Sequence, residues 1–220
     1  LSDPASVRRC VAAVKKLGVK LDAIVCNAGI MALPKLEQAH GYELQFFTNH
    51  IGHFILVTGL LDVLADDGRV VIVSSGAHRN APPEGIQLDN LSGERGYSPW
   101  TAYGQSKLAN ILFAKELTRR FAGTRRTANA LHPGVIKTNL GRSMNPLFAI
   151  PFALAGPIGL KSIPQGAATE CFLAAHPSVA GTSGEYFSDS NVAKARRDAS
   201  DAELAKKLWA KSEEIVGKLP

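Results

Sequence analysis

The stretch WTAYGQSKLANILFAKEL, residues 100 to 117, sets a tyrosine and a lysine one helical turn apart, Tyr103 and Lys107. At 100° per residue the two share an arc with Asn110, Ala114, Leu117 and Phe121. Gln105, Glu116, Arg119 and Arg120 fall on the opposite arc, which the pattern assigns to solvent. Lysine is almost never fully buried without a partner, so Lys107 either runs its stem outward or neutralises something in a cleft. The i, i+4 spacing offers Tyr103 as that partner. Such a pair can do proton transfer at an oxygen. A tyrosine at its ordinary pKa of about 10 is a poor base near neutrality. Lowering it by ~3 units takes ~4 kcal/mol, and a cation about 5 Å away at an effective dielectric near 20 supplies ~3 kcal/mol. The spacing therefore predicts a tyrosine whose pKa the lysine pulls down.

Elements that would position such a pair are readable on both sides of it. SDPASVRRCVAAVKKLG predicts a helix with Asp3 as N-cap, Pro4 at its first position, Gly18 at its exit, and an inner stripe of Val7, Cys10, Val11, Val14 and Leu17. LDAIVCNAG and GRVVIVSS are short apolar runs ending in small residues, the pattern of buried parallel strands. A long helix is expected from about Gly41 to Leu64, a third strand at TANALHPG, a helix over 165–175, a short strand at GEYF and an amphipathic helix over 200–217. Strands alternating with helices predict an α/β fold built on a doubly wound parallel sheet, with ligands beyond the carboxyl ends of the strands. Those ends are Asn27-Ala28-Gly29, Ser74-Ser75 and His132-Pro133-Gly134.

Composition narrows the function classes. With 220 residues, 45% hydrophobic and 20% charged, the chain reads as a single domain over 1–220. The net charge of +6 is scattered without an aromatic-interleaved basic stripe, which argues against nucleic acid as a partner. Cys10, Cys26 and Cys171 show no CxxC spacing and an odd count, favouring a reducing, cytoplasmic setting. His50 and His53 form an HxxH without a third ligand nearby, so no metal is expected. The longest apolar stretch, PLFAIPFALAGPIGL, is broken by Pro151, Gly156 and Pro157 and is too short to span a bilayer; it can still line a greasy pocket, and a membrane-surface contact stays open though unsupported.

CNAG at 26–29, TNHIGHF at 48–54, VVIVSS at 70–75, YGQSK at 103–107 and HPGVIKTNL at 132–140 stand in the order and settings of the classical short-chain dehydrogenase/reductases, which the whole chain resembles. NHIGHF and SKLANILF look most like the branch of the retinol dehydrogenases and the WW-domain-containing oxidoreductase. The resemblance implies a Rossmann-like oxidoreductase moving a hydride between NAD or NADP and an alcohol or carbonyl. It implies Tyr103 as acid or base and also a cofactor contact, Lys107 as its activator and ribose ligand, Ser75 on the substrate oxygen, and Asn49 anchoring a relay water. Asn27, Ala28 and Gly29 would pass the cofactor's ribose, and Pro133, Gly134 and Thr138 its nicotinamide and phosphate end. An oxidised nicotinamide would add to the pull of Lys107 on Tyr103. The resemblance also implies a homodimer or homotetramer built on the helices that carry Asn49 and Tyr103.

Family members open with a strand and a TGxxxGxG turn at the pyrophosphate, which this chain lacks. A leading βαβαβ segment is therefore expected outside the chain, with Leu21–Cys26 as an interior strand, and the enzyme reading presupposes it. Two alternatives stand beside the oxidoreductase: a non-catalytic dinucleotide-binding or scaffold protein that retains the fold, and a sugar-nucleotide epimerase-like enzyme. The first has no need of the tyrosine, and the second usually carries a larger carboxy-terminal domain than the roughly 80 residues that follow Gly134. Leu147, Phe148, Ile150 and Phe152, within a substrate-loop segment at 139–164, favour an apolar alcohol or carbonyl and predict a flap over it.

Overall fold

The computed structural model describes residues 1–136 and 160–220. Helix α1, Pro4–Lys16, begins with Pro4 at its first position, where a missing N–H costs nothing. Asp3 precedes it in extended conformation, but its carboxylate makes no capping hydrogen bond and faces Arg9 at 3.8 Å instead. Val7 is buried, and Val11 and Val14 pack on the core. Cys10 and Leu17 are exposed, because the helix ends at Lys16 and Leu17 falls on the exit turn.

The main sheet is built from β1 (Leu21–Cys26), β4 (Leu64–Val73), β5 (Thr127–His132), β6 (Tyr186–Ser188) and β7 (Asn191–Val192), in the order β1-β4-β5-β6-β7. The first four are parallel, and β7 returns antiparallel to β6. Its two-residue turn, Asp189 and Ser190, has positive φ at both positions, as a tight hairpin requires. Side chains alternate between two cores. Val70 and Ile72 of β4 join one, while Val71 and Val73 join the other with Leu131, Leu173 and Phe187. Helix α5, Ile163–Ala175, covers the second face, so the sheet is wound on both sides as expected.

Strand β1 is expected to be interior once a leading segment outside the chain is added, which the described residues do not contain. Among the described residues it pairs only with β4; Ile24 and Cys26 are buried, but Val25 is 41% exposed. One covered face and one neighbour give it the alternating burial of a half-buried strand.

The long helix expected from Gly41 is shorter and broken. Gln38–Ala39 (β2) and Tyr42–Glu43 (β3) form a small antiparallel pair, and Glu43 caps the helix start by accepting the Phe46 N–H at 2.7 Å. Helix α2, Leu44–Phe46, passes through a π-helical turn, Phe47–Ile51, into α3, Gly52–Leu60. Single π turns cluster at functional sites. This one carries Asn49.

Helix α4, Pro99–Arg120, holds the Tyr103–Lys107 pair. Its expected inner arc is buried from Tyr103 through Phe121, but the opposite arc is only partly wet. Gln105 is buried and accepts the Gln87 N–H at 2.8 Å, and Glu116 is buried beneath Arg119 and Arg120 at 2.7 and 2.9 Å. Gln105 is covered by the loop that carries Gln87, and Glu116 by the carboxy-terminal helix α6, Ala202–Lys218, which packs on the outer face of α4. Its Trp209 ring meets Phe54 edge-on at 4.8 Å and lies under the Arg120 guanidinium at 3.8 Å. Trp209→Ala should lower unfolding free energy by about 3–5 kcal/mol, read from denaturant midpoints. A loss below about 1 kcal/mol would show that α6 is only loosely docked.

Candidate active site

Three strand ends converge on α4. Asn27, Ala28 and Gly29 leave β1, Ser74 and Ser75 leave β4, and Pro133 and Gly134 leave β5. Ser74 Oγ donates to the Lys107 carbonyl at 2.7 Å, fixing the helix against the strand end. Lys107 Nζ donates to the Val73 carbonyl at 3.0 Å, and Asn110 Nδ2 reaches the same oxygen at 3.1 Å. Lys107 is 4% exposed and Tyr103 3% exposed, with the ammonium 5.7 Å from the centre of the tyrosine ring. The charge does lie on the buried face, beside the residue its spacing selected.

The electrostatics of the pair run against the expected direction. Burial pushes Tyr103 up to about 12, with the nearby Ser75 side chain pulling it back, and burial pushes Lys107 down to about 8, with the Glu170 carboxylate of α5 pulling it up. Desolvation disfavours the charged form of both groups, and it outweighs the attraction reckoned from spacing alone.

Asn49 is fully buried, and its amide is spent on the Ile30 backbone and the Ser106 hydroxyl. Oδ1 accepts the Ile30 N–H at 2.9 Å, while Nδ2 donates to the Ile30 carbonyl at 2.9 Å and to Ser106 Oγ at 3.0 Å. It therefore holds the loop after Gly29 against α4. Its own carbonyl meets His53 Nδ1 at 2.9 Å, and His50 Nε2 meets Ser212 Oγ of α6 at 2.9 Å. Both rings of the HxxH are committed to protein partners.

Ser75, half-buried, caps a 3-10 turn, Gly76–Asn80, by accepting the Ala77 N–H at 3.2 Å. Asn27 and Ala28 are exposed at the mouth of the site. A Cβ on Gly29 would lie 2.9 Å from Asn49 Oδ1 and 3.6 Å from Lys107 Nζ, so the absent side chain keeps open the space beside the lysine. Gly134 has φ of 89°, and a Cβ there would come within 2.6 Å of Lys161, whose ammonium reaches the Pro133 carbonyl at 3.3 Å. Thr138, the substrate-loop phenylalanines and the expected flap lie outside the described residues.

The donor set fits a nicotinamide dinucleotide. Among the described residues the Lys107 ammonium has a single hydrogen-bond acceptor, and it borders an opening that one glycine keeps clear. Gly29→Ala should weaken NADH or NADPH binding by about tenfold or more in isothermal titration, because the Asn49 amide must shift to admit the methyl. Unchanged affinity would place the dinucleotide elsewhere.

Sequence reasoning placed Ser74 at a strand end without a role and missed Ser106, Glu170 and His78. Spacing carried a trace of some of them: Ser106 adjoins Lys107, and His78 follows Ser75 by three residues within a turn.

A model of the short chain dehydrogenase family matches residues 1–147. Over its full length the chain is 42% identical to a chloroplastic short-chain dehydrogenase, TIC 32 B of Brassica napus, spanning 71% of that protein. It is 42% identical to human retinol dehydrogenase 14, with 91% of this chain aligned to 60% of that one. A solved structure from Mycobacterium paratuberculosis superposes with a TM-score of 0.75 at 35% identity, covering 99% of this chain and 74% of that one. A blue fluorescent protein from a metagenomic library, solved in complex with NADPH, superposes at 0.63 with 25% identity over 84% of this chain and 70% of its own. The sheet order, the strand-end site and these likenesses agree: the chain belongs to the short-chain dehydrogenases, NAD(P)-dependent oxidoreductases, in the branch of the retinol dehydrogenases and the WW domain-containing oxidoreductase.

Proposed function

We propose that the site exchanges an apolar carbonyl with its alcohol, with Tyr103 as the acid or base. The observation that carries this reading is the convergence of Tyr103, Ser75 and Lys107 on one opening at the strand ends. The dinucleotide, when bound, gives or takes the hydride. The chain's own residues handle the proton and the geometry. Burial keeps Tyr103 protonated, the form that donates a proton to a carbonyl oxygen. Ser75 Oγ spends a lone pair on Ala77 N–H, leaving its own hydrogen for the substrate oxygen. Lys107, with donors to spare, and the backbone of Asn27, Ala28 and Gly29 would hold the ribose; Pro133 and Gly134, with Thr138 by resemblance, would hold the nicotinamide end. Asn49 acts here by fixing the Gly29–Ile30 loop.

Elements α5, β6, β7 and α6 all close on the same domain, which supports the classical form over an epimerase with a separate substrate domain. The test uses the full-length protein with NADH or NADPH and straight-chain aldehydes from propanal to nonanal. kcat/KM is expected to climb by up to about fourfold per added CH2 while the chain is still being buried. A flat series would end the apolar reading, and no turnover with either dinucleotide would favour the scaffold alternative.

Cytoplasmic location stays a proposal, supported by three unpaired cysteines and tested by fractionation. Among the described residues no helix is long and apolar enough to cross a membrane. A homodimer or homotetramer also stays a proposal, and with α6 on the outer face of α4 it would use another surface, which light scattering and cross-linking would locate.

A further inference from the structure

The turn after Ser75 is held by a side chain outside the catalytic set. His78 is fully buried, with Nδ1 2.6 Å from the Ser75 carbonyl oxygen and Nε2 3.1 Å from the backbone nitrogen of Arg196. A carbonyl only accepts and a backbone amide only donates, so the ring carries its proton on Nδ1 and its lone pair on Nε2. The ring stands edge-on to Tyr186 at 5.1 Å, which fixes its plane. Arg196 is itself anchored on the same turn, donating to the Ala81 and Pro82 carbonyls at 2.7 and 3.0 Å. Arg79 returns the tie by donating to the Lys194 carbonyl at 2.6 Å. The Ser75 carbonyl therefore receives two hydrogen bonds, from the His78 backbone N–H at 3.0 Å and from its ring.

We propose that His78 is a positioning residue for Ser75: by clamping the Ser75 carbonyl to the segment that leads into α6, it fixes the peptide plane and aims Ser75 Oγ at the Tyr103 hydroxyl. It rests on the reading of Ser75 as the group that holds the substrate oxygen. Rotation of that peptide moves the Cα–Cβ bond and turns the Oγ away, and a misaimed hydrogen-bond donor loses much of its effect on a reacting oxygen.

Asparagine reproduces the Nδ1 donor and glutamine the Nε2 acceptor, so His78→Asn keeps the bond to Ser75 and His78→Gln keeps the bond to Arg196. In the full-length protein reducing nonanal, His78→Asn should retain kcat within about threefold and His78→Gln should lose about tenfold or more, with similar falls in Tm and little change in the KM for the dinucleotide. In a Ser75→Ala background the two should become equal. Equal losses with the native Ser75 in place, a larger loss in His78→Asn, or a difference between the two that survives in Ser75→Ala would reduce His78 to a packing residue and overturn the proposal. Full activity in Ser75→Ala alone would instead sink the reading of Ser75. A 15N-histidine spectrum checks the tautomer without any turnover: Nδ1–H is expected, and Nε2–H would overturn the clamp.

Discussion

Tyr103→Phe in the full-length protein is expected to lower kcat by about two to four orders of magnitude while leaving the fold within about 1 kcal/mol of the parent. The substitution removes one hydroxyl, and it keeps the ring that packs edge-on against Trp100 at 6.2 Å. Dinucleotide affinity should hold, since the ribose contacts are assigned to Lys107 and the Gly29 loop. Lys107→Ala should differ in kind, losing rate and dinucleotide affinity together, and the Val73 carbonyl it abandons still has Asn110. Stopped-flow single turnovers with nonanal separate the two. More than a few per cent of the parent rate in Tyr103→Phe would move the proton transfer to another group.

Acid should unfold this domain steeply, because two neutral histidines are sealed beside the site. Burial pushes His50 down to about 3, with His53 beside it adding repulsion and the neighbouring Asn110 side chain opposing. Burial likewise pushes His53 down to about 4 against the opposing hydrogen bond to the Asn49 carbonyl. In the unfolded chain both rings take up protons near pH ~6.5, so below that pH the unfolded state binds more protons than the native state. Stability is therefore full above about 6.5 and falls as pH drops towards the two native values, with a slope of up to ~2.7 kcal/mol per pH unit while both differ. The loss reaches the order of several kcal/mol, comparable with the whole stability of a domain. Urea midpoints at about pH 7 and pH 5 measure it. A His53→Gln variant should flatten part of the slope, and an unchanged midpoint at the lower pH would show that the rings are charged or wet in the native state.

The acid sensitivity and the catalytic set share one structural origin. The π turn that presents Asn49 also carries His50, which is pinned by Ser212 of α6, and the helix that presents Tyr103 is covered by the same α6. Loss of α6 docking would disturb both sides of the site together.

Local spacing determined the arc of α4 that carries Tyr103, Lys107 and Asn110, because helical periodicity is a property of neighbouring residues and the inner arc is buried as its pattern required. The strand ends were legible for the same reason: short apolar runs stopping at Asn27, Ser74 and Pro133 mark where backbone leaves a sheet. Tertiary structure alone decided the rest. Gln105 and Glu116 look like surface residues until segments distant in sequence fold over them. Asn49 spends its amide on Ile30, a loop residue nineteen positions earlier, and His78 meets Arg196 from 118 positions away. The direction of the Tyr103 shift is of this second kind. Attraction between two charges can be reckoned from an i, i+4 spacing, but desolvation depends on every atom that shuts out water, and those atoms come from the whole chain.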